Sequence, residues 1–239
     1  LIFYKFARAA DDIADSPNLT SKEKIKRLNL FKKAIENNKI KIQKAENLKK
    51  ICLQSKIKIN YALNLLKAFK QDAVKKRYKN WSELINYCKY SAVPVGRFVI
   101  DLHKEKKVSY KCSDPLCTAL QILNHVQDCK DDYNKINRVY LPSTFLKKYN
   151  VKLKQLKKSH TEKNLRLAIN DVLTHTEKLI KQADKFKKIM KNNKLSKETT
   201  FILEIAKSLL KLLKKKDPLK KKVFLNKFDY IKCFAKTFL

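Results

Sequence analysis

One glycine and five prolines in 239 residues leave few turn-formers. Sheet proteins depend on glycine-bearing turns, so an all-β or doubly wound α/β fold is excluded, as is a glycine-rich dinucleotide fingerprint. No uncharged apolar run reaches the roughly 18 residues that a bilayer-spanning helix requires. The six cysteines (Cys52, Cys88, Cys112, Cys117, Cys129 and Cys233) include no C-x-x-C pair, and no secretory leader precedes them. That usage points to reduced thiols in a cytoplasmic protein. Arginine is scarce: Arg8, Arg27, Arg77, Arg97, Arg138 and Arg166 are the only six among 57 basic residues. Base readout and bidentate phosphate recognition favour arginine, so nucleic acid is not expected as a partner. The chain opens at Leu1 in mid-helix pattern without an initiator methionine, and an N-terminal segment is expected to be missing.

What is present is lysine together with a large apolar fraction. Hydrophobic residues make up 44% and aromatics 10% of a chain whose formal charge is +35. That is too apolar for a disordered polycation. The expectation is an all-α globule of one domain over residues 1–239, since no repeat and no linker divides it. The lysines are spread along most helices beside much asparagine and isoleucine, as a drift toward A/T-rich codons would produce. They read as a solvated coat, with an anionic membrane surface as the alternative use of the charge.

Leu1 to Asp15 reads as the end of a helix broken by Ser16-Pro17-Asn18. Thr20 with Glu23 makes a capping box for a helix to about Asn37. A lysine-rich helical stretch runs from about Ala45 to Lys75. Asn80 with Glu83 caps a helix from Trp81 to about Lys104 that carries Pro94 and the sole glycine, Gly96. Ser113-Asp114-Pro115 signals a helix start, with the helix running to about Tyr133. Arg138-Val139-Tyr140-Leu141-Pro142 is a rigid connector. Helices over Thr161–Met190, over Ser196–Lys216 and from Pro218 onward complete the reading.

Six of the 22 acidic residues fall in two five-residue windows, Asp11-Asp12-Ile13-Ala14-Asp15 and Asp128-Cys129-Lys130-Asp131-Asp132. Each holds a D-x-x-x-D spacing, which places two carboxylates on one helix face a turn apart. Unbridged, such carboxylates repel; hard oxygen ligands so arranged suit Mg²⁺, which shares its remaining positions with water and substrate phosphate. Tyr4, Arg8, Asp11 and Asp15 fall at about 0°, 40°, −20° and 20° on a helical wheel, and Gln121, Asn124, Asp128 and Asp132 at about 0°, −60°, −20° and 20°. Each helix thus shows a polar stripe within an apolar run. A polar stripe on a helix meant for the interior must line a cavity or be paired at a cost. Two such stripes face to face would make a metal–diphosphate site. A third element, Tyr87-Cys88-x-Tyr90-Ser91-Ala92-Val93-Pro94-Val95-Gly96-Arg97, should kink at Pro94, and Gly96 would admit a close neighbour.

Together these segments resemble the squalene/phytoene synthase family. Phe3 through Asp15 looks like its first aspartate-rich motif; Gln121 through Asp132, followed by Arg138 to Pro142, looks like the second. The stretch Phe69-Lys70-Gln71-Asp72 to Arg77-Tyr78 and the segment Ser91-Ala92-x-Pro94-Val95-Gly96-Arg97 are most similar to the bacterial hydroxysqualene synthase branch. The resemblance implies a helical bundle of the isoprenoid synthase type around a central cavity. It further implies two or three Mg²⁺ ions, with Asp11, Asp15, Asp128 and Asp132 as primary ligands and Asp12 and Asp131 as secondary ones. Tyr4, Arg8, Gln121, Asn124 and Arg138 would meet diphosphate, Tyr87 would be catalytic, and Ala92, Val95 and Gly96 would lie along the prenyl chain. Gln127 departs from the arginine common before the second motif, which removes one expected diphosphate contact.

The function so implied is ionisation of presqualene diphosphate, formed from farnesyl diphosphate, to give hydroxysqualene or squalene with release of diphosphate; in the hydroxysqualene branch water quenches the cation and no NADPH is expected. Alternatives are phytoene or dehydrosqualene synthesis and, from another class, a non-catalytic assembly factor. A monomer is expected, with peripheral contact at the inner face of a membrane.

Overall fold

The Thr20 side chain accepts the Glu23 amide while the Glu23 carboxylate accepts the Thr20 amide at 2.8 Å. Asn80 Oδ1 accepts the Glu83 amide at 2.9 Å. Both are the reciprocal or one-sided caps that satisfy the otherwise orphaned first amides of a helix. The computed structural model describes residues 1–37, 40–185 and 189–238. Among these residues twelve α-helices form and no strand does. In chain order they are α1 (Ile2–Asp15), α2 (Ser21–Glu36), α3 (Gln43–Gln54), α4 (Asn60–Val74), α5 (Trp81–Ser91) and α6 (Val93–Leu102). The remainder are α7 (Tyr110–Gln127), α8 (Cys129–Ile136), α9 (Ser143–Lys148), α10 (Lys163–Ala183), α11 (Asn193–Lys215) and α12 (Lys227–Phe238). The all-α expectation holds.

Several boundaries differ from the sequence reading, each for a local reason. The stretch expected as helix from Ala45 to Lys75 divides into α3 and α4, with Lys56 in the left-handed region at φ 55° between them. α7 begins at Tyr110, a turn before the Ser113-Asp114-Pro115 signal, and Pro115 lies inside it. The Tyr110 hydroxyl is anchored on the Asp101 carboxylate and meets the Tyr61 hydroxyl at 3.1 Å, which draws the helix start back. The helix expected over 81–104 breaks at Ala92 into α5 and α6, with Pro94 in the first turn of α6. The helix expected over 113–133 breaks at Asp128 into α7 and α8.

At the far end, Asp217 accepts the Thr161 amide at 2.7 Å and the Leu219 amide at 2.9 Å, holding residues after it out of a helix until Lys227. α10 ends at Ala183; the expected continuation to Met190 runs partly through 186–188, outside the described residues. α9 and the short 3₁₀ turn Leu153–Lys157 are additions to the reading.

Two apolar cores result. One joins α1 to α4 through Phe6, Leu28, Leu48, Leu65 and Leu66; the other joins α5, α7, α10 and α11 through Leu84, Ile122, Leu123, Leu165 and Leu213. The connector 138–142 runs along residues 76–79: the Val139 amide donates to Lys76 O at 2.9 Å and the Ser143 amide to Tyr78 O at 2.8 Å. Arg77 closes this seam by donating to Asn137 Oδ1 at 2.7 Å. The polar stripes of α1 and α7 meet where the two cores join.

Candidate active site

A cavity of about 500 Å³ opens between α1, α4, α5 and α7. From α1 it receives Tyr4, Arg8, Asp11 and Asp15, and from α7 with the start of α8 it receives Gln121, Asn124, Asp128 and Asp132. Both polar stripes read from the helical wheel therefore face one space. Tyr87, Val95 and Arg138 also lie on its wall, while Leu65 and Phe69 supply an apolar side. Tyr4 stands at the rim, 65% exposed.

Not every expected residue is on the wall. Asp12 is held at the surface by Arg8 Nη2 at 2.8 Å. Asp131 pairs with Lys135 at 3.0 Å and lines a groove that adjoins the mouth. Ala92 is buried at the break between α5 and α6. Gly96 faces α7 instead of the cavity: a Cβ there would run into Ser113 Oγ and stand 2.5 Å from Cys117 Sγ. The break at Ala92 resets the helix phase, so that Val95 reaches the wall and Gly96 becomes the contact that lets α6 lie close on α7.

Burial and crowding shape the carboxylates. Asp11 is pushed up to about 6, first by burial and then by Asp15 one turn away. Asp132 is pushed up to about 7, first by burial and then by Asp128. Arg8 Nη1 already meets Asp11 at 3.2 Å, yet burial and the neighbouring carboxylate outweigh that cation. Among the described residues no three acidic, histidine or cysteine side chains converge on one point as a protein-only cage. The paired carboxylates Asp11/Asp15 and Asp128/Asp132 are hard oxygen donors of the kind Mg²⁺ takes together with water and phosphate.

Arg138 is turned inward and 2% exposed. Its Nη1 donates to Asp15 Oδ1 at 2.8 Å and to the Tyr140 hydroxyl at 3.1 Å, and its Nη2 donates to Asp72 O at 2.8 Å. The guanidinium expected to hold diphosphate is thus largely occupied with protein acceptors and orients Asp15. Burial alone would weaken its charge, but Tyr140, Asp72 and Asp15 hold it more firmly protonated than usual.

Behind the carboxylates lies a buried aromatic cluster. The Tyr87 hydroxyl donates to Asp72 Oδ2 at 2.7 Å and the Tyr140 hydroxyl to Asp72 Oδ1 at 2.9 Å. His125 stacks on Tyr140 with ring centroids 3.4 Å apart and lines the cavity. Burial, with Arg138 near by, lowers its pKa to about 3, so the ring is neutral.

Lys222 escaped the sequence reading. Its Nζ stands 2.5 Å from Asp128 Oδ1, in the segment between α11 and α12. Gln127, where an arginine was expected, donates to Val223 O at 2.5 Å and so secures the segment that delivers this lysine. One lysine among so many carries no sequence signal; only the fold sets it beside the second acidic window.

The profile of the squalene/phytoene synthase family matches residues 1–229. The hydroxysqualene synthase of Zymomonas mobilis is 37% identical over 231 residues, covering 96% of this chain and 78% of that protein. The hydroxysqualene synthase of Sinorhizobium fredii is 35% identical, covering 97% and 79%. Among solved structures, squalene synthase HpnC from Alicyclobacillus acidocaldarius superposes with a TM-score of 0.76 at 23% identity, over 88% of this chain and 80% of that one. A dehydrosqualene synthase in complex with ligand superposes with a TM-score of 0.82 at 18% identity, over 99% and 83%. The two structures share the fold.

Proposed function

The chain belongs to the squalene/phytoene synthase family, and from that premise we propose that it converts presqualene diphosphate and water to hydroxysqualene with release of diphosphate. The observation that carries this reading is that both acidic windows face one cavity whose other side is apolar and aromatic. The relatives named hydroxysqualene synthase favour this branch over phytoene or dehydrosqualene synthesis. Two intact acidic windows also argue against a non-catalytic assembly role.

Asp11, Asp15, Asp128 and Asp132 would hold two or three Mg²⁺ ions, with Asp12 and Asp131 outside them. When bound, the metal stabilises the negative charge that develops on the leaving diphosphate. Arg8 at the mouth and Lys222 beside Asp128 add cationic charge on the same oxygens. Gln121 and Asn124 supply neutral polar contacts on the α7 side. Leu65, Phe69 and Val95 exclude water from the cationic carbon skeleton. Tyr87 lies deeper than the carboxylates, where its electron-rich ring and hydroxyl oxygen face that skeleton. Water quenches the final cation to give the alcohol, and no reductant is required. The excess lysine supports peripheral contact with an anionic membrane from which a C30 lipid substrate is drawn.

Product analysis tests the reading. The full-length protein with Mg²⁺ should convert presqualene diphosphate to hydroxysqualene without NADPH. Phytoene from geranylgeranyl diphosphate, or no turnover of any prenyl diphosphate, would overturn it.

A further inference from the structure

Asp72 is a carboxylate 4% exposed on the buried face of α4, among Leu65, Ala68, Phe69 and Ala73, and the mechanism above gives it no task. A buried carboxylate is costly unless it is both paired and hydrogen-bonded. Here both its oxygens are occupied, Oδ2 by the Tyr87 hydroxyl at 2.7 Å and Oδ1 by the Tyr140 hydroxyl at 2.9 Å. Arg138 brackets the group from a third side, with Nε 3.8 Å from Oδ1 and Nη2 on the Asp72 backbone carbonyl at 2.8 Å. The same guanidinium donates to the Tyr140 hydroxyl and to Asp15. A continuous polar chain therefore runs from Asp15 at the mouth through Arg138 and Tyr140 to Asp72, and ends on Tyr87.

The direction of each bond in that chain matters. A phenol has one proton and two lone pairs. With its proton directed to Asp72, the Tyr87 oxygen keeps its lone pairs free of any donor but the Tyr140 hydroxyl, 3.5 Å away. That second contact is long and Tyr140 already directs its own proton to Asp72. We propose that Asp72 is a positioning residue for Tyr87, locking its hydroxyl so that the oxygen presents electron density, and not a proton, to the cavity. A tyrosine free to rotate could direct its proton at the substrate and disfavour a cation beside it; one tied to a carboxylate cannot. Burial and the neighbouring Asp72 also hold Tyr87 in its protonated form, so it acts as a neutral phenol. The anionic Asp72 behind the ring adds a favourable field for a cation in front of it. The inference rests on the proposed ionisation chemistry.

Asp72→Asn keeps the shape but replaces one acceptor oxygen by a donor, so one of the two tyrosines must turn its proton elsewhere. Four full-length proteins separate the roles: wild type, Asp72→Asn, Tyr87→Phe and the double variant, each assayed on presqualene diphosphate with a thermal melt. Wild-type turnover tests the underlying chemistry by itself. Asp72→Asn is expected to lower kcat on the order of 100-fold, the scale of losing one preorganised electrostatic group, with KM within about twofold. In the Tyr87→Phe background the same change should cost less than about twofold, because residues acting as a unit are not additive. An equal loss in both backgrounds, or a harmless Tyr87→Phe, overturns the proposal. Should Asp72→Asn fail to fold, Asp72→Glu decides: it keeps the carboxylate but shifts its oxygens by one methylene from the Tyr87 hydroxyl, so it should lower kcat when Tyr87 is present and not in the Tyr87→Phe background. An equal Asp72→Glu loss in both backgrounds would mean the cluster is only structural.

Discussion

At the scale of single residues, burial and mutual repulsion press on the carboxylates at the mouth. Asp11 and Asp132 stand at about 6 and about 7 against an ordinary value of 3.8. A raised folded-state pKa means the folded protein holds these protons more tightly than the unfolded chain. Their contribution to stability is therefore present below the ordinary value and is lost as pH rises through 6 and 7. Without divalent cations, the melting temperature of Asp132→Asn minus that of wild type should grow steadily between about pH 4 and about pH 7. Added Mg²⁺ should close that gap at the upper end and barely act at the lower. A difference flat with pH would show that Asp132 is not under this strain. For catalysis, Asp11→Asn should lower turnover by at least about 100-fold while leaving the melt near that of wild type. Full activity at saturating Mg²⁺ would remove Asp11 from the ligand set.

At the scale of helices, Gly96 shows how one break redirects a motif. A straight helix over 81–104 would have carried it in one phase, but the break at Ala92 turns Gly96 onto Ser113 and Cys117 of α7. Gly96→Leu should then destabilise by about 1–3 kcal/mol, the usual cost of overpacking a tight contact. Its rate per folded molecule should be the same on presqualene diphosphate as on short allylic diphosphates. A stable variant that rejects only the longer substrate would return Gly96 to the cavity.

The capping residues Thr20 and Asn80 and the two polar stripes were legible because they are local: a cap spans one turn and a stripe repeats at 3.6 residues. The kink expected at Pro94 falls two residues earlier, as the break at Ala92 with Pro94 in the first turn of α6, whereas no residue pattern marks the break at Asp128. The inward turn of Arg138 and the arrival of Lys222 at Asp128 depend on segments distant in the chain. Asp72 stood within a recognisable motif, but its two tyrosine partners lie on α5 and the connector, which only the packed structure unites.

At the scale of the whole molecule, the charge of +35 meets an exposed apolar face on α12. Phe228, Ile231 and Phe234 are 73%, 63% and 55% exposed. They fall within about 120° on one side of the helix, away from the buried Cys233, with Lys232 and Lys236 together along one edge. A helix with apolar residues on one side and lysines at an edge suits the surface of an anionic bilayer. The same part of the chain carries Lys222 to the mouth of the cavity, so docking through α12 would bring the site toward the lipid. Each lysine near such a surface adds on the order of 1 kcal/mol, within reach of screening by salt. The full-length protein should float with vesicles containing anionic phospholipid at low salt, and salt should release it. Phe228→Ser with Ile231→Ser should weaken flotation at least about tenfold without changing the rate on a short, soluble allylic diphosphate. Equal binding to neutral vesicles would exclude the electrostatic part of this account. Concentration-dependent dimers that the same pair of substitutions abolishes would assign the face to a second copy of the chain instead.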